Sequence, residues 1–316
     1  MIDTYFGAFI QKNRRAQGLS QEDLCEGICD ATTLSRIENG ERIPSRVRAI
    51  SLLQRLGLSA DRYYMLLNRY DAEVDALQSA IIRCSIKYER VLDEDKAAVR
   101  ECAMRHLGQL EDIVKKKDRY TQQFILRSKA LLGKNDGSNY SPEEQLSLLT
   151  KAIRLTLPNF DLDRIDKFRY NLEEIKIISQ IATAYGKAGQ LKKSVRILEK
   201  LYEYVTTYNQ NMQESAGQIP LVAYNYALKL SISKRYEDAT EIAETGYQTC
   251  IDGCAYQLLP GFLHILAECY HFLGEDGKSE DFYIQAYYLH KMLKNELDLR
   301  ALVQEAHRYL GLTLDI

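Results

Sequence analysis

The sequence has no tryptophan and only five prolines in 316 residues. It also lacks any apolar run of about 18 residues, so no membrane span is expected. Scarce proline leaves helices unbroken. No alternating run rich in Val, Ile and Thr is present, which removes the signature of strands. The seven cysteines are odd in number and form no disulfide-like framework, so a reducing cytoplasm is expected. Cys25/Cys29 and Cys250/Cys254 are each spaced i, i+4, but no second Cys/His pair completes a zinc site. Packing is the expectation there, with no metal and no cofactor. The first residues, MIDTYFGAFIQKNRR, mix acid and base around a short apolar run, unlike a signal peptide. Net charge is only −2, so no global basic field points to nucleic acid.

What is present is helical. Ala, Leu, Glu, Lys and Gln dominate, and 46% hydrophobic content can fill a core. The 22 tyrosines fall mostly at helical spacing, which suits packing. Charge is uneven: residues 1–70 carry ten Lys and Arg against eight Asp and Glu, and the remainder is acidic.

Residues 5–67 read as five short helices. The first is Tyr5 to Gln17, with Phe6, Phe9 and Ile10 on one face, stopped by Gly18. Ser20 caps the second, which carries Leu24 and Ile28 and loosens at Gly27. Asp30 caps the third, Ala31 to Asn39, with Leu34 and Ile37 inward and Asn39-Gly40 as its stop. Pro44 and Ser45 open a fourth helix through Val47, Ile50, Leu53 and Leu56. Asp61 to Leu67 is a fifth. Arg14, Arg15, Arg42 and Arg46 are candidate phosphate partners, or else a solvated basic face. Glu38 suits an ion pair with a nearby Arg within the domain.

The runs Gly18-Leu19-Ser20-Gln21-Glu22-Asp23-Leu24, Leu34-Ser35-Arg36-Ile37-Glu38-Asn39-Gly40 and Ile43-Pro44-Ser45 resemble the Xre/Cro-repressor helix-turn-helix family. The resemblance implies that Ala31, Thr32, Thr33, Ser35 and Arg36 face DNA in the major groove. It implies a phosphate contact for Gln21. Cys25 and Gly27 depart from the family's small aliphatic residues, which bears on packing.

Residues 68–95 read as one connecting helix without Gly or Pro, a semi-rigid link. From 96 to 316, helical segments alternate with short breaks: Lys117-Asp118, Gly133 to Ser141, Pro158 to Asp163, Ala188-Gly189, Asn209 to Met212, Lys234-Arg235, Gly253, and Gly274 to Gly277. An internal repeat aligns Ala182, Ser194 and Leu198 with Ala227, Ala239 and Ala243, then with Ala267, Ser279 and Tyr283. It resembles the tetratricopeptide repeat (TPR). Asn295 to Leu312 reads as a capping helix. The expected fold is therefore all-α: a Cro/repressor-like domain followed by a TPR-like α-solenoid. The repeat register implies a concave face lined by Lys176, Ser179, Gln180 and Thr183, then by Leu221, Tyr224, Asn225 and Leu228, then by His264, Glu268 and His271. Asn225 can donate and accept at once, so it can hold a peptide backbone or, alternatively, tie two helices together.

A Cro-type reader followed by such an array resembles the peptide-pheromone-responsive regulators of the Rgg, NprR, PlcR and PrgX (RRNPP) group. That resemblance implies a cytoplasmic homodimer, double-stranded DNA with a two-fold operator, and a short signalling peptide in the concave groove. A second reading keeps DNA binding but makes the array a dock for a partner protein. No nucleophile–base constellation, phosphate loop or metal spacing suggests an enzyme.

Overall fold

The computed structural model describes residues 5–58, 69–134, 136–208, 218–253 and 256–314. The expected fifth helix, Asp61 to Leu67, lies outside them, as do Cys254 and the break at Asn209 to Met212. All regular structure in the described residues is helical. The chain divides into two compact units, 1–81 and 82–316.

The first unit holds α1 (Tyr5–Ala16), α2 (Gln21–Cys25), α3 (Ala31–Glu38) and α4 (Arg46–Arg55), and the start of α5 (Arg69–Arg90). Its core gathers Phe6, Ile10, Leu24, Cys25, Leu34, Ile37, Ala49, Leu52, Leu53 and Leu56. Local chemistry sets the helix starts. Ser20 and Asp23 form a reciprocal capping box at α2, with bonds of 3.0 and 2.9 Å. The Asp30 carboxylate accepts the Thr33 N–H at 2.6 Å to start α3. Gly27, at φ +70°, makes the turn between α2 and α3 and touches no core group, so it is a turn residue and not a packing one. Gly7 lets α1 lie directly on α3: a Cβ there would stand 2.0 Å from the Ile37 carbonyl oxygen. Val47, in the apolar series that marked the fourth helix, is 74% exposed, because Ala49, Leu52 and Leu53 form the inward face of α4.

The expected connecting helix is shorter than 68–95. α5 ends at Arg90, and α6 (Asp93–Ile113) begins after a two-residue break. The boundary between units falls inside α5, at 81/82. Ala72 packs on the first core, whereas the Cys84 sulfur lies 3.6 Å from that of Cys102 on α6.

The second unit continues through α7 (Arg119–Leu132), α8 (Pro142–Thr156), a 3-10 helix (Leu162–Lys167), α9 (Leu172–Lys187), α10 (Leu191–Tyr208), α11 (Gln218–Ile232), α12 (Tyr236–Asp252), α13 (Leu259–Phe272), α14 (Asp276–Met292) and α15 (Glu296–Leu310). Each helix from α6 onward packs on the next. In addition α9 contacts α11, and α11 contacts α13, so these three form one inner row. The aligned repeat positions are the packing positions: Ala182, Ser194, Leu198, Ala227, Ala239, Ala243, Ala267, Ser279 and Tyr283 are all buried. Small residues sit where neighbours crowd in; a Cβ on Gly246 would meet the Phe262 ring at 2.4 Å. The result is an α-solenoid of paired helices.

Candidate nucleic-acid interface and ligand groove

In the first unit the side chains of α3 divide clearly. Thr32 and Arg36 are exposed, Ala31 and Ser35 are half-buried, and Leu34 and Ile37 are in the core. Thr33 was expected outward, but it is buried. Its hydroxyl donates to the Asp30 carboxylate at 2.9 Å, so helix capping uses it. Arg14 was expected at phosphate. It is 8% exposed, and its guanidinium forks onto Glu38 with bonds of 2.6 and 2.9 Å. A third bond, 2.8 Å, goes to the Leu19 carbonyl. The Gln21 amide donates to the same Glu38 carboxylate at 2.8 Å. Burial opposes ionisation of Glu38, but the bonds from Arg14 and Gln21 win and hold its carboxyl below the usual range. This network locks α1, α2 and α3 together behind the exposed face. Arg15, Arg42 and Arg46 are exposed. Sequence reasoning missed Ile43 and Val47 as surface groups; both are exposed apolar side chains able to meet a sugar or a thymine methyl.

In the second unit the inner row carries a polar stripe. Lys176, Gln180, Thr183 and Lys187 recur at i, i+4, i+7 and i+11 along one side of α9. On α11, Leu221, Tyr224, Asn225 and Leu228 are half-buried. Asn225 donates to the Ser179 hydroxyl at 3.1 Å and to the Leu221 carbonyl at 3.0 Å, which leaves its own carbonyl oxygen to accept. Ser179 was expected to line the groove; it is 3% exposed and serves this α9–α11 bond instead. The third set is also engaged within the protein. His264 pairs with Glu305 of α15 at 2.7 Å, Glu268 accepts from Ser231 of α11 at 2.7 Å, and His271 bonds Asp276 at 2.8 Å. Gln180 differs: its amide oxygen is enclosed and has no hydrogen-bond partner among the described residues.

The structure adds residues that sequence reasoning did not find. Glu89 of α5 feels the charges of Arg127 on α7, Lys187 on α9 and Asp298 on α15. Tyr224 feels Asp298 and Glu89. Charged side chains of α5, α7, α9 and α15 thus act on one another through space, and those of α5 and α15 act on Tyr224 of α11. Arg127 is taken up by an ion pair with Glu173. Lys176 and Lys229 make no ion pair among the described residues. Both ammonium groups are pushed down, chiefly by burial and then by like charge, Arg127 for Lys176 and Lys187 for Lys229. Glu89 is pushed up, mainly by desolvation. Lys187 and Lys229 were within reach of sequence reasoning, since each continues a stripe by one turn. Glu89 and Asp298 were not, since only the curvature of the solenoid brings them in.

Fold and surfaces together define a helix-turn-helix protein carrying an α-solenoid with a charged, partly desolvated groove. A helix-turn-helix family model matches residues 10–63, and the model of the RNPP family C-terminal domain matches residues 128–311. The chain belongs to the RNPP family. No curated protein sequence matches it. Among solved structures it is similar to Bacillus thuringiensis PlcR in complex with the peptide PapR7 and DNA. That match has 20% identity and a TM-score of 0.62, covering 95% of this chain and 99% of that one. It is also similar to the competence regulator ComR from Streptococcus vestibularis with its signalling peptide XIP (18%, 0.53, 98% and 100%). A third is the pheromone receptor Rgg2 of Streptococcus dysgalactiae (14%, 0.50, 96% and 98%). At these identities the likeness is one of fold. No helix among the described residues is long and apolar enough to cross a membrane.

Proposed function

We propose that the chain is a cytoplasmic, homodimeric transcriptional regulator rather than an enzyme. Its α3 reads a two-fold DNA site, and its groove binds a short signalling peptide. The observation that carries this is the groove itself. Lys176, Lys229 and the enclosed Gln180 oxygen are polar groups taken partly out of water with no ion pair or hydrogen bond among the described residues. Such groups are costly unless a ligand satisfies them. An extended peptide does so: Gln180 and Asn225 meet its backbone, and the lysines meet a carboxylate. The relatives solved with peptides and DNA support the reading. Coupling follows from linkage, since a peptide shifts the DNA-binding equilibrium only by its different affinity for two states.

Titration with synthetic peptides from short reading frames beside the gene tests this, read by operator binding and melting temperature. If no peptide moves either one, the array docks a partner protein instead. Asn225→Ala is expected to weaken peptide binding about tenfold, roughly 1.4 kcal/mol, with DNA affinity unchanged. Ser179→Ala removes the same interhelical bond. An equal loss in that variant assigns Asn225 to structure alone. Arg36→Ala is expected to weaken operator binding by about 1–3 kcal/mol in a footprint or titration. An unchanged affinity would place the reading face elsewhere.

A further inference from the structure

A cleft of about 640 Å³ opens between the end of α8, the 3-10 helix, α9 and α10. It is distinct from the groove. Its α9 residues, Ile181 and Tyr185, lie roughly 150° around the helix from Lys176. Its walls carry five cations: Arg154 from α8, and Lys192, Lys193, Arg196 and Lys200 from α10. The α10 four fall within an arc of about 100°, with Lys192, Arg196 and Lys200 each one turn apart.

Nearby acids do not answer this charge. Asp161 and Asp163 also line the cleft. Asp161 accepts the Asp163 N–H at 2.9 Å as the cap of the 3-10 helix. Lys200 donates at 2.6 Å to the backbone carbonyl of Asp163. Lys193 sits 3.9 Å over the Tyr185 ring. Among the described residues Arg154, Lys192 and Arg196 make no ion pair. Two of the cations occupy the first turn of α10, which has no acid, although the positive end of the helix dipole disfavours cations there. A bound anion reverses that penalty.

We propose that this cleft is a second ligand site and that it takes a linear oligophosphate, either free polyphosphate or the polyphosphate of a nucleotide. Cations repeating about 6 Å apart along one helix suit a linear polyanion better than a single phosphate. The two guanidiniums match phosphate oxygens bidentately. The volume is that of a small-molecule site, and the part-exposed Tyr185 ring stands beside the charge.

The test is calorimetric titration of the full chain with sodium tripolyphosphate and with ATP, in about 150 mM salt to screen loose surface attraction. Saturable binding is expected, weakened at least tenfold in the double variant Lys192→Glu/Arg196→Glu. Lys116→Glu, the same kind of charge change at an exposed position outside the cleft, is expected to leave it intact. Circular dichroism confirms that the variants fold. Tighter binding of ATP assigns the Tyr185 ring to a base; equal binding assigns the free phosphate chain. The proposal fails if neither ligand saturates, or if Lys116→Glu weakens binding as much as the double variant does.

Discussion

The two units handle buried charge in opposite ways. In the reader, Glu38 is enclosed, but Arg14 and Gln21 answer it within 3 Å. In the solenoid, Lys176 and Lys229 are partly desolvated, and what lies close to them is mostly cationic. The first arrangement is complete in itself and holds three helices in fixed register. The second is the arrangement that the proposed peptide would complete. The difference teaches which unit is built as a rigid output and which as an input.

The largest expected effect breaks the settled side. Arg14→Met leaves the Glu38 carboxylate buried without its cation, held only by the Gln21 amide, and should destabilise the first unit by roughly 3–5 kcal/mol in thermal unfolding. Adding Glu38→Leu should recover much of that loss. A single variant with unchanged melting would show that the pair is ornamental.

Acid should separate the units next. His290 on α14 is 1% exposed, and burial holds its imidazole down to about 4 from the ordinary 6.5. Between those pH values the unfolded chain carries the extra proton, so acidification favours unfolding. Stability is full above about pH 6.5 and falls by up to roughly 3 kcal/mol toward pH 4. Glu38 is depressed instead, so its contribution survives until pH drops below the usual carboxylate range. Near pH 5 the solenoid should therefore lose cooperativity before the reader does, as followed by hydrogen exchange, and His290→Leu should flatten that dependence.

The smallest effect carries the sharpest contrast. Lys229→Met removes a desolvated charge, so the ligand-free protein should gain a few tenths to about 1 kcal/mol. Affinity for an acidic peptide should fall at the same time. Destabilisation would mean that Lys229 is held by the protein and not reserved for a ligand.

The helix-turn-helix was legible because its signals are local. Ser20 with Asp23, Asp30 as a cap, and turn glycines all act within a few residues. Thr33 was misassigned although its signal is also local: it stands three residues after Asp30, where a hydroxyl completes the cap. Arg14 was misassigned for the opposite reason, since its partner is 24 residues away. The solenoid pairs were legible from small residues at close crossings. Its groove was not, because Glu89, Arg127 and Asp298 converge from helices far apart in sequence. The unit boundary at 81/82 lies inside the expected connecting helix, and no Gly or Pro marks its position because α5 divides only by what each half touches.

Gly261 has a use beyond packing. Tyr224 lies so close to it that a Cβ would come within 2.5 Å of the ring. Glycine to alanine at that position, a single base change, would force the Tyr224 ring to move. The shape of the proposed peptide site can therefore be changed from a position behind it, with every side chain assigned to the ligand retained.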